Sequence, residues 1–141
     1  MLLKSALSFF ALSLFASSHA IDKRYDESQH SVVLSSANFK ESVSSGTWFI
    51  KFYSPRCGYS KKLAPIWSAL STDLFENAKK NGIRFGEVDC LANSNVCDDQ
   101  NVDGYPTLFI YNRGKQIEEY GGANVYDELL SYSNQLATRF K

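Results

Sequence analysis

One cysteine in the segment KFYSPRCGYSKKLAP stands in a pattern that permits chemistry: Cys57 is followed three positions later by Ser60. A cysteine thiolate attacks disulfides and forms mixed disulfides with them. A second cysteine in place of Ser60 would break such an adduct from within the protein, at a very high effective concentration. A serine hydroxyl is not ionised at neutral pH and cannot do this. The pattern therefore permits a mixed disulfide at Cys57 and excludes a cycle between two thiols.

The residues around Cys57 favour its thiolate. An apolar, β-rich stretch precedes it and helical periodicity begins at it, so the first N–H groups of a helix and the positive end of its dipole are expected to face the sulfur. Arg56, Lys61 and Lys62 add positive charge beside it. We therefore predict a thiol pKa below the value of about 8.5 for free cysteine.

The two other cysteines, Cys90 and Cys97, stand seven residues apart in DCLANSNVCDDQ. In an oxidising compartment an odd number of cysteines leaves one unpaired. Pairing the two close ones is the economical choice and leaves Cys57 free; closing such a loop stabilises a fold by roughly 2–3 kcal/mol in the chain-entropy treatment. A zinc site is the alternative, but three cysteines and the distant His30 lack the spacing of zinc ligands. We expect no metal and no other cofactor.

Alternating strands and helices are expected to position these cysteines. The predicted strands are SVVL (31–34), TWFIKFY (47–53), IRFGEVD (83–89), TLFIYN (107–112) and QIEEY (116–120). The predicted helices run from Ser35 or Ser36 through ANFKESVS, from Cys57 to the Asn-Gly pair at 81–82, over ANSNVCDDQN and over NVYDELLSYSNQLATRF. This order predicts an α/β fold with a mixed central sheet and helices on both faces.

Spacing of three and four residues predicts the core-facing side of the two long helices. The expected core residues are Leu63, Ile66, Trp67, Leu70 and Leu74 in the first, and Val125, Leu129, Leu130 and Leu136 in the second. Pro65 is expected to kink the first of these helices. Gly114, between the last two strands, indicates a hairpin turn.

The first 20 of the 141 residues have the form of a secretory signal peptide. Lys4, a short apolar run and the small residues Ser18 and Ala20 provide its three parts, and the run is well short of the roughly 20 residues that span a bilayer. We expect a polar arm over 21–30, with a possible dibasic site at Lys23-Arg24, and a domain over 31–141. The end LATRFK carries no retention tetrapeptide, so the expected location is the endoplasmic reticulum lumen or the exterior.

Charge excludes one class of partner. The chain has 15 Lys and Arg against 15 Asp and Glu, so nothing suggests binding to nucleic acid or to an acidic membrane surface. No later stretch is long and apolar enough to be expected to span a membrane.

Three segments resemble the protein disulfide isomerase family. FYSPRCGYSKKLAPIW is similar to its active-site segment, in which a strand leads to Cys-Gly-His-Cys-Lys and a proline-containing helix. VDCLANSNVCDDQNVDGYPTLFIY resembles its second half, with a two-cysteine loop and Val-x-Gly-Tyr-Pro-Thr before a strand, and EEYGGANVYDELLSY resembles its closing segment and last helix. The resemblance covers about residues 31–138 and implies a thioredoxin-like fold.

The resemblance also implies a set of site residues. Cys57 takes the place of the nucleophile, in a motif completed by Gly58, Tyr59 and Ser60. Pro106 takes the place of the family's cis proline, beside which the backbone would pair with an extended client. The expected substrate-binding residues are Arg56, Tyr59, Tyr105 and Pro106.

Four departures from the family pattern accompany this match. Ser60 replaces the second cysteine, Lys51 replaces a buried acidic residue that moves protons, Arg56 replaces a Trp, and Asn124 replaces an Arg. Three of these changes remove parts that serve a dithiol cycle, and none removes the first sulfur. The resemblance thus implies mixed disulfides with cysteine-containing clients or with small thiols such as glutathione, through thiol retention or slow isomerisation.

Two other functions remain open from the sequence. The first is a non-catalytic chaperone or adaptor domain that binds through the Pro106 surface and leaves Cys57 idle. The second is a glutathione-dependent, monothiol glutaredoxin-like protein, since CGYS and the Gly-Gly pair at 121–122 are similar to pieces of that family. Such proteins hold an iron–sulfur cluster in reducing compartments, and the signal peptide and the Cys90–Cys97 pair argue against that setting.

Overall fold

The computed structural model describes residues 30–140, apart from the side chains of Ala78, Lys79 and Asn81. The predicted signal peptide and nearly all of the predicted arm lie outside the described residues. In chain order the elements are β1 (Ser31–Leu34), α1 (Phe39–Val43), β2 (Thr47–Tyr53), α2 (Gly58–Asn81), β3 (Ile83–Asp89), α3 (Ser94–Asp99), β4 (Thr107–Asn112), β5 (Lys115–Glu119) and α4 (Tyr126–Arg139).

The five strands form one sheet in the order β1-β3-β2-β4-β5. β3 runs parallel to both β1 and β2, whereas β4 is antiparallel to β2 and to β5. The predicted α/β fold with a mixed sheet is therefore confirmed. Among the described helices, none is long and apolar enough to cross a membrane.

The central strand β2 contributes to two hydrophobic cores, because alternate side chains of a strand point to opposite faces. Trp48, Ile50 and Phe52 pack on one face with residues of α1 and α3. Phe49 packs on the other face with residues of α2 and α4. Both faces of the sheet are thus covered by helices, and all but the last residue of β2 are buried.

The α2 side of the predicted core is largely as expected. Leu63, Trp67, Leu70 and Leu74 are buried and Ile66 is partly buried. Pro65 lies inside α2, which continues beyond it to Asn81. The chain then turns at Gly82, whose φ of 72° suits glycine.

Two details of the predicted helices were wrong. The first helix begins at Phe39 after Asn38, and not from Ser35 or Ser36, because the Ser35 N–H donates to Asn38 Oδ1 (2.7 Å) in a turn before the helix. Val125 precedes α4 and is 49% exposed, so it does not belong to the core. Hydrophobic spacing alone does not show that the chain is still extended at that position.

The hairpin between β4 and β5 turns at two residues. Arg113 and Gly114 both have positive φ, 50° and 84°. A two-residue loop with this geometry matches the right-handed twist of the strands that it joins. The predicted hairpin with Gly114 in its turn is therefore confirmed.

Gly86 of β3 leaves little room for a side chain beside buried residues of β1 and β2. A Cβ at this position would lie 2.8 Å from Leu34 Cδ1, 3.4 Å from Trp48 and 3.5 Å from Ile50. We expect Gly86→Ala to lower the free energy of unfolding by about 1–3 kcal/mol, because the buried neighbours must move. Gly121→Ala is the matched control, since nothing lies within 4 Å of its added Cβ. Chemical denaturation measures both, and equal stabilities would contradict this account of the packing.

Candidate active site

Cys57 lies in a tight turn between β2 and α2. Its N–H donates to the carbonyl oxygen of Ser54 (3.1 Å), and its own carbonyl oxygen accepts from the N–H of Lys61 (3.0 Å). These bonds place the residue immediately before the first turn of α2. Cys57 is a free thiol and is partly exposed to solvent.

The loop before β4 packs against the sulfur. The Tyr105–Pro106 peptide bond is cis, and the Cys57 thiol donates to the carbonyl oxygen of Tyr105 (Sγ···O 3.4 Å). Antiparallel pairing of Phe52 with Thr107 fixes the start of β4 beside the end of β2. The structure thus brings Cys57, Tyr105 and Pro106 together across 48 positions of the sequence.

Thr107 is a supporting residue that sequence reasoning did not identify. It is buried, and its hydroxyl donates to the carbonyl oxygen of Gly104 (2.7 Å). This bond closes the loop that carries Tyr105. A hydroxyl directly after a proline was the available signal, but its acceptor is known only from the folded loop.

Ser60 is a structural part of the site. Its side chain is buried, and its Oγ accepts a hydrogen bond from the N–H of Ser54 (3.2 Å). Because the oxygen accepts from this N–H, the hydroxyl proton is available to donate to the sulfur of Cys57. Ser60 therefore links the turn before Cys57 to the thiolate that the turn presents.

The pKa of the Cys57 thiol lies below that of an ordinary cysteine. The largest cause is the hydrogen bond from the backbone N–H of Ser60, assisted by the N–H of Tyr59 and the hydroxyl of Ser60; burial acts in the opposite direction. The predicted direction agrees with the structure. The backbone N–H groups at the start of the helix are among the causes, as predicted, and the Ser60 hydroxyl adds to them. The expected contribution of Arg56, Lys61 and Lys62 stays a prediction.

Exposed aromatic and cationic side chains surround the thiol. Tyr59 is 73% exposed and Tyr105 is 40% exposed, which is unusual for large rings. The ammonium of Lys62 lies 5.6 Å from the centre of the Tyr59 ring, within cation–π distance. Arg56 is exposed beside Cys57, and Pro106 is partly exposed. These are the residues expected to contact a substrate.

Cys90 and Cys97 form a disulfide with an S–S distance of 2.12 Å and a Cα–Cα distance of 5.7 Å. Both are buried in the core that includes α1 and α3. The N–H of Cys90 donates to the carbonyl oxygen of Tyr53 (2.8 Å), at the end of β2. The disulfide therefore lies next to the end of β2, from which the Cys57 turn begins. Its sulfurs are buried and not accessible to a substrate.

Lys51 is buried and has a carboxylate beside it. Its Nζ lies 3.5 Å from Oε2 of Glu87, with side-chain exposures of 5% and 17%. The ammonium also faces the rings of Tyr53 (4.7 Å) and Trp67 (5.9 Å). Burial lowers the pKa of Lys51, and the charge and hydrogen bond of Glu87 oppose that shift.

A partly buried carboxylate thus lies beside position 51, on the neighbouring strand β3. Lys51 and Glu87 are register partners in the parallel pair of β2 and β3. Sequence reasoning did not link them because register becomes known only when the strands pair. Asn124, the other departure from the family pattern, is exposed in the segment before α4. Within residues 30–140, apart from the three undescribed side chains, no group of potential ligands could hold a metal ion.

The thioredoxin family model matches residues 30–135 of this chain. With the mixed sheet and with a cysteine at the start of a helix opposite a cis proline, this match shows that the chain belongs to the thioredoxin family. Two curated proteins are similar to it over most of the matched region. The chain is 43% identical over 109 residues to Protein disulfide-isomerase 1 of Dictyostelium discoideum, covering 75% of this chain and 30% of the relative. It is 42% identical over 96 residues to the Thioredoxin domain-containing protein 5 homolog of Drosophila melanogaster, covering 67% and 23%.

Solved structures give the same result. The J-Trx1 fragment of ERdj5 superposes with a TM-score of 0.72 at 29% identity, over 81% of this chain and 55% of that one. The first two thioredoxin domains of Saccharomyces cerevisiae Eps1p give 0.71 at 30% identity, over 74% and 40%. Human ERp44 gives 0.70 at 27% identity, over 75% and 31%. The chain therefore spans 31–55% of the length of these solved chains.

The hydroxyl of Ser60 can be tested as a stabiliser of the thiolate. We expect Ser60→Ala to raise the pKa of Cys57, because one hydrogen-bond donor to the sulfur is lost. The rate of alkylation by iodoacetamide against pH measures this pKa, and its midpoint should move to higher pH. Ser71→Ala, at another buried serine of α2, is the control and should leave the midpoint in place. An unchanged midpoint in Ser60→Ala would show that the Ser60 hydroxyl does not stabilise the thiolate of Cys57.

The buried ion pair can be tested by removing one partner. We expect Lys51→Met to lower the free energy of unfolding by about 3 kcal/mol, because Glu87 is left partly buried without its counter-charge. The double variant Lys51→Met with Glu87→Gln should recover part of this loss, since no unpaired charge remains. Denaturant unfolding of both variants measures the difference. If the double variant is less stable than Lys51→Met, the pair does not carry the cost assigned to it.

Proposed function

We propose that this chain is a thiol–disulfide exchange domain of the protein disulfide isomerase type, which forms mixed disulfides with client proteins through Cys57. The observation that carries the proposal is the environment of one sulfur. It is partly exposed, its pKa is lowered by three hydrogen-bond donors, and it lies 3.4 Å from the carbonyl oxygen of Tyr105 in the cis-proline loop. Low pKa, access and an adjacent backbone surface are what a nucleophilic thiol needs.

The reaction begins with attack by the Cys57 thiolate on one sulfur of a client disulfide. A bond forms between Cys57 Sγ and that sulfur while the client S–S bond breaks, and the second client sulfur leaves as a thiolate that takes a proton from water. One disulfide is replaced by another, so no external oxidant or reductant is consumed. The Ser60 and Tyr59 donors hold Cys57 in its reactive form before the attack.

Release of the client requires a second thiol from elsewhere. A client thiolate or a small thiol such as glutathione attacks the mixed disulfide, and the Cys57 thiolate returns as the leaving group. A leaving thiolate with a lowered pKa departs readily. Ser60 offers no internal route, and the buried Cys90–Cys97 disulfide offers no partner. The adduct therefore lasts until an external thiol arrives, which supports client retention or slow isomerisation rather than fast reduction.

The names of relatives support a location as well as a reaction. One is called a protein disulfide-isomerase, and another, 36% identical over 87 residues, is the ER-retained PMA1-suppressing protein 1 of Saccharomyces cerevisiae. We propose that this chain works in the endoplasmic reticulum or a later secretory compartment. The chain matches 12–30% of the length of these relatives, so only the activity of one domain is inferred from them.

A second candidate is a non-catalytic chaperone or adaptor, and the exposure of two rings favours it. Tyr59 and Tyr105 present apolar surface beside the cis-proline loop, and such surface binds unfolded segments without a covalent step. This candidate differs from the first in one respect: client binding survives the loss of Cys57. A glutaredoxin-like function is less well supported, because the match over residues 30–135 is to the thioredoxin family.

The proposal predicts that Cys57→Ser and Ser60→Cys differ in whether they form an adduct and in how long it lasts. Incubated with a peptide that contains one disulfide, the native chain should form an adduct visible on non-reducing gels, and Cys57→Ser should form none. Ser60→Cys should form the adduct and lose it at least about tenfold faster, because its second thiol attacks from within the site. Adduct lifetimes are measured after acid quenching.

Ser71→Cys is the matched control for the release step. It places a thiol in the same helix at a buried position away from the site, and its adduct should last as long as that of the native chain. Adducts that persist in Cys57→Ser would assign the chemistry to another sulfur. Client binding that persists in Cys57→Ser with no adduct in the native chain would support the adaptor function instead.

A further inference from the structure

Three cations flank the reactive sulfur without any acid among them. Arg56 precedes Cys57, and Lys61 and Lys62 follow it in the first turn of α2. The segment SPRCGYSKKLA has no Asp or Glu, and the first turn of α2 has no acidic residue. All three side chains are exposed. We call Arg56, Lys61 and Lys62 the cationic rim.

The cationic rim has no ion-pair partner in the described part of the chain. The two ion pairs found there join Lys51 to Glu87 and Arg139 to Glu118. Within the rim, Lys62 has only a ring contact, with Tyr59. The positive charges are therefore not used to hold the fold together.

The position of these charges is unfavourable for the helix itself. The dipole of a helix favours negative side chains in the first turn and disfavours positive ones. Lys61 and Lys62 lie in that turn. Hydrogen bonds from the backbone and Ser60 already lower the pKa of Cys57. The stability of the helix therefore does not account for cations at this place.

None of the described carboxylates forms an ion pair with the cationic rim. Glu87 is paired with Lys51, and Asp89 accepts from the N–H groups of Leu91 and Ala92. Asp103 is exposed two residues before Tyr105, on the cis-proline side of the sulfur. The cations thus flank Cys57 in the sequence of its own turn and helix, whereas Asp103 belongs to the loop before β4.

We propose that the Cys57 site selects partners whose reacting cysteine is flanked by carboxylates. The chemistry is a disulfide with negative charge within a few residues of its reacting sulfur, and it is found both in acidic client segments and in disulfides of glutathione. This inference rests on the proposed function, because it names the partners of the same sulfur. The exchange step is unchanged: one S–S bond forms at Cys57, the partner's S–S bond breaks, and the leaving thiolate is protonated by water.

The selection acts on the rate of encounter. Charges within about 8 Å of each other interact at physiological ionic strength, and more salt screens them. A partner with carboxylates beside its sulfur is therefore concentrated near Cys57 and oriented by the cationic rim. A partner with lysines in the same positions is repelled, although its sulfur is chemically equivalent.

The test compares short peptides that differ only in the charge beside one cysteine. Each peptide carries a Cys flanked by Glu, Gln or Lys and is joined through a disulfide to the same 2-thiopyridone leaving group, whose release is followed by absorbance. Glutathione joined to the same group is the fourth probe. At low salt we expect the Glu-flanked peptide to react about tenfold faster than the Lys-flanked one. The ratio should approach one in 0.5 M salt, where the screening length is about 4 Å.

Charge-reversed variants assign any preference to the cationic rim. Lys61→Glu with Lys62→Glu should remove or invert the preference for Glu over Lys, with each rate expressed relative to alkylation by neutral iodoacetamide. Lys40→Glu with Lys115→Glu changes net charge equally at exposed positions on α1 and β5 and should keep the preference.

The outcomes separate this inference from the proposed function. Equal rates for the Glu and Lys peptides at low salt, or a preference that survives charge reversal of the rim, would overturn the inference and leave the exchange function intact. Failure of all four probes to form an adduct at Cys57 would overturn both. Faster reaction of glutathione alone would contradict selection by flanking charge in peptides and restrict the inference to the small thiol.

Discussion

Pairing of β2 on both of its edges is the constraint on which the site depends. Hydrogen bonding to β3 on one side and to β4 on the other leaves the strand no freedom in register. Its last residues are then fixed relative to the start of β4, which brings the Tyr105 carbonyl to the sulfur of Cys57. The Cys90 N–H ties the end of β3 to Tyr53 at the same edge. The position of the sulfur relative to the cis-proline loop therefore follows from the register of the sheet.

Two kinds of group surround Cys57: uncharged hydrogen-bond donors and exposed cations. Uncharged donors, two backbone N–H groups and one hydroxyl, stabilise the thiolate of Cys57. They are short-range and directional, so salt in the solvent affects them little. The charges beside them are exposed, so salt screens them. Ser60, which cannot act as a second thiol, is buried and hydrogen-bonded.

The sequence allowed most of the fold to be predicted, because its signals are local. Alternating and three-four spacings place the strands and long helices, and Gly82 and Gly114 mark two of the turns. Errors arose where the outcome depends on contacts between distant segments. Ser35 engages Asn38 in a turn instead of capping a helix, and the hydroxyl of Ser60 is a donor to Cys57 that the sequence did not indicate. Composition and spacing carry no information on which side chain a buried group will meet.

The pairing of Lys51 with Glu87 couples the effects of substitutions at these two positions. A single substitution that restored an acid at position 51 would set two carboxylates opposite each other on adjacent strands, where each raises the cost of ionising the other. A single change at position 87 would leave an ammonium between two aromatic rings without its anion. We therefore expect either single change to lower the stability of the fold. A chain with the opposite arrangement of charges is therefore reached through a less stable single variant, unless both residues change together. The same requirement applies to the design of a two-thiol derivative.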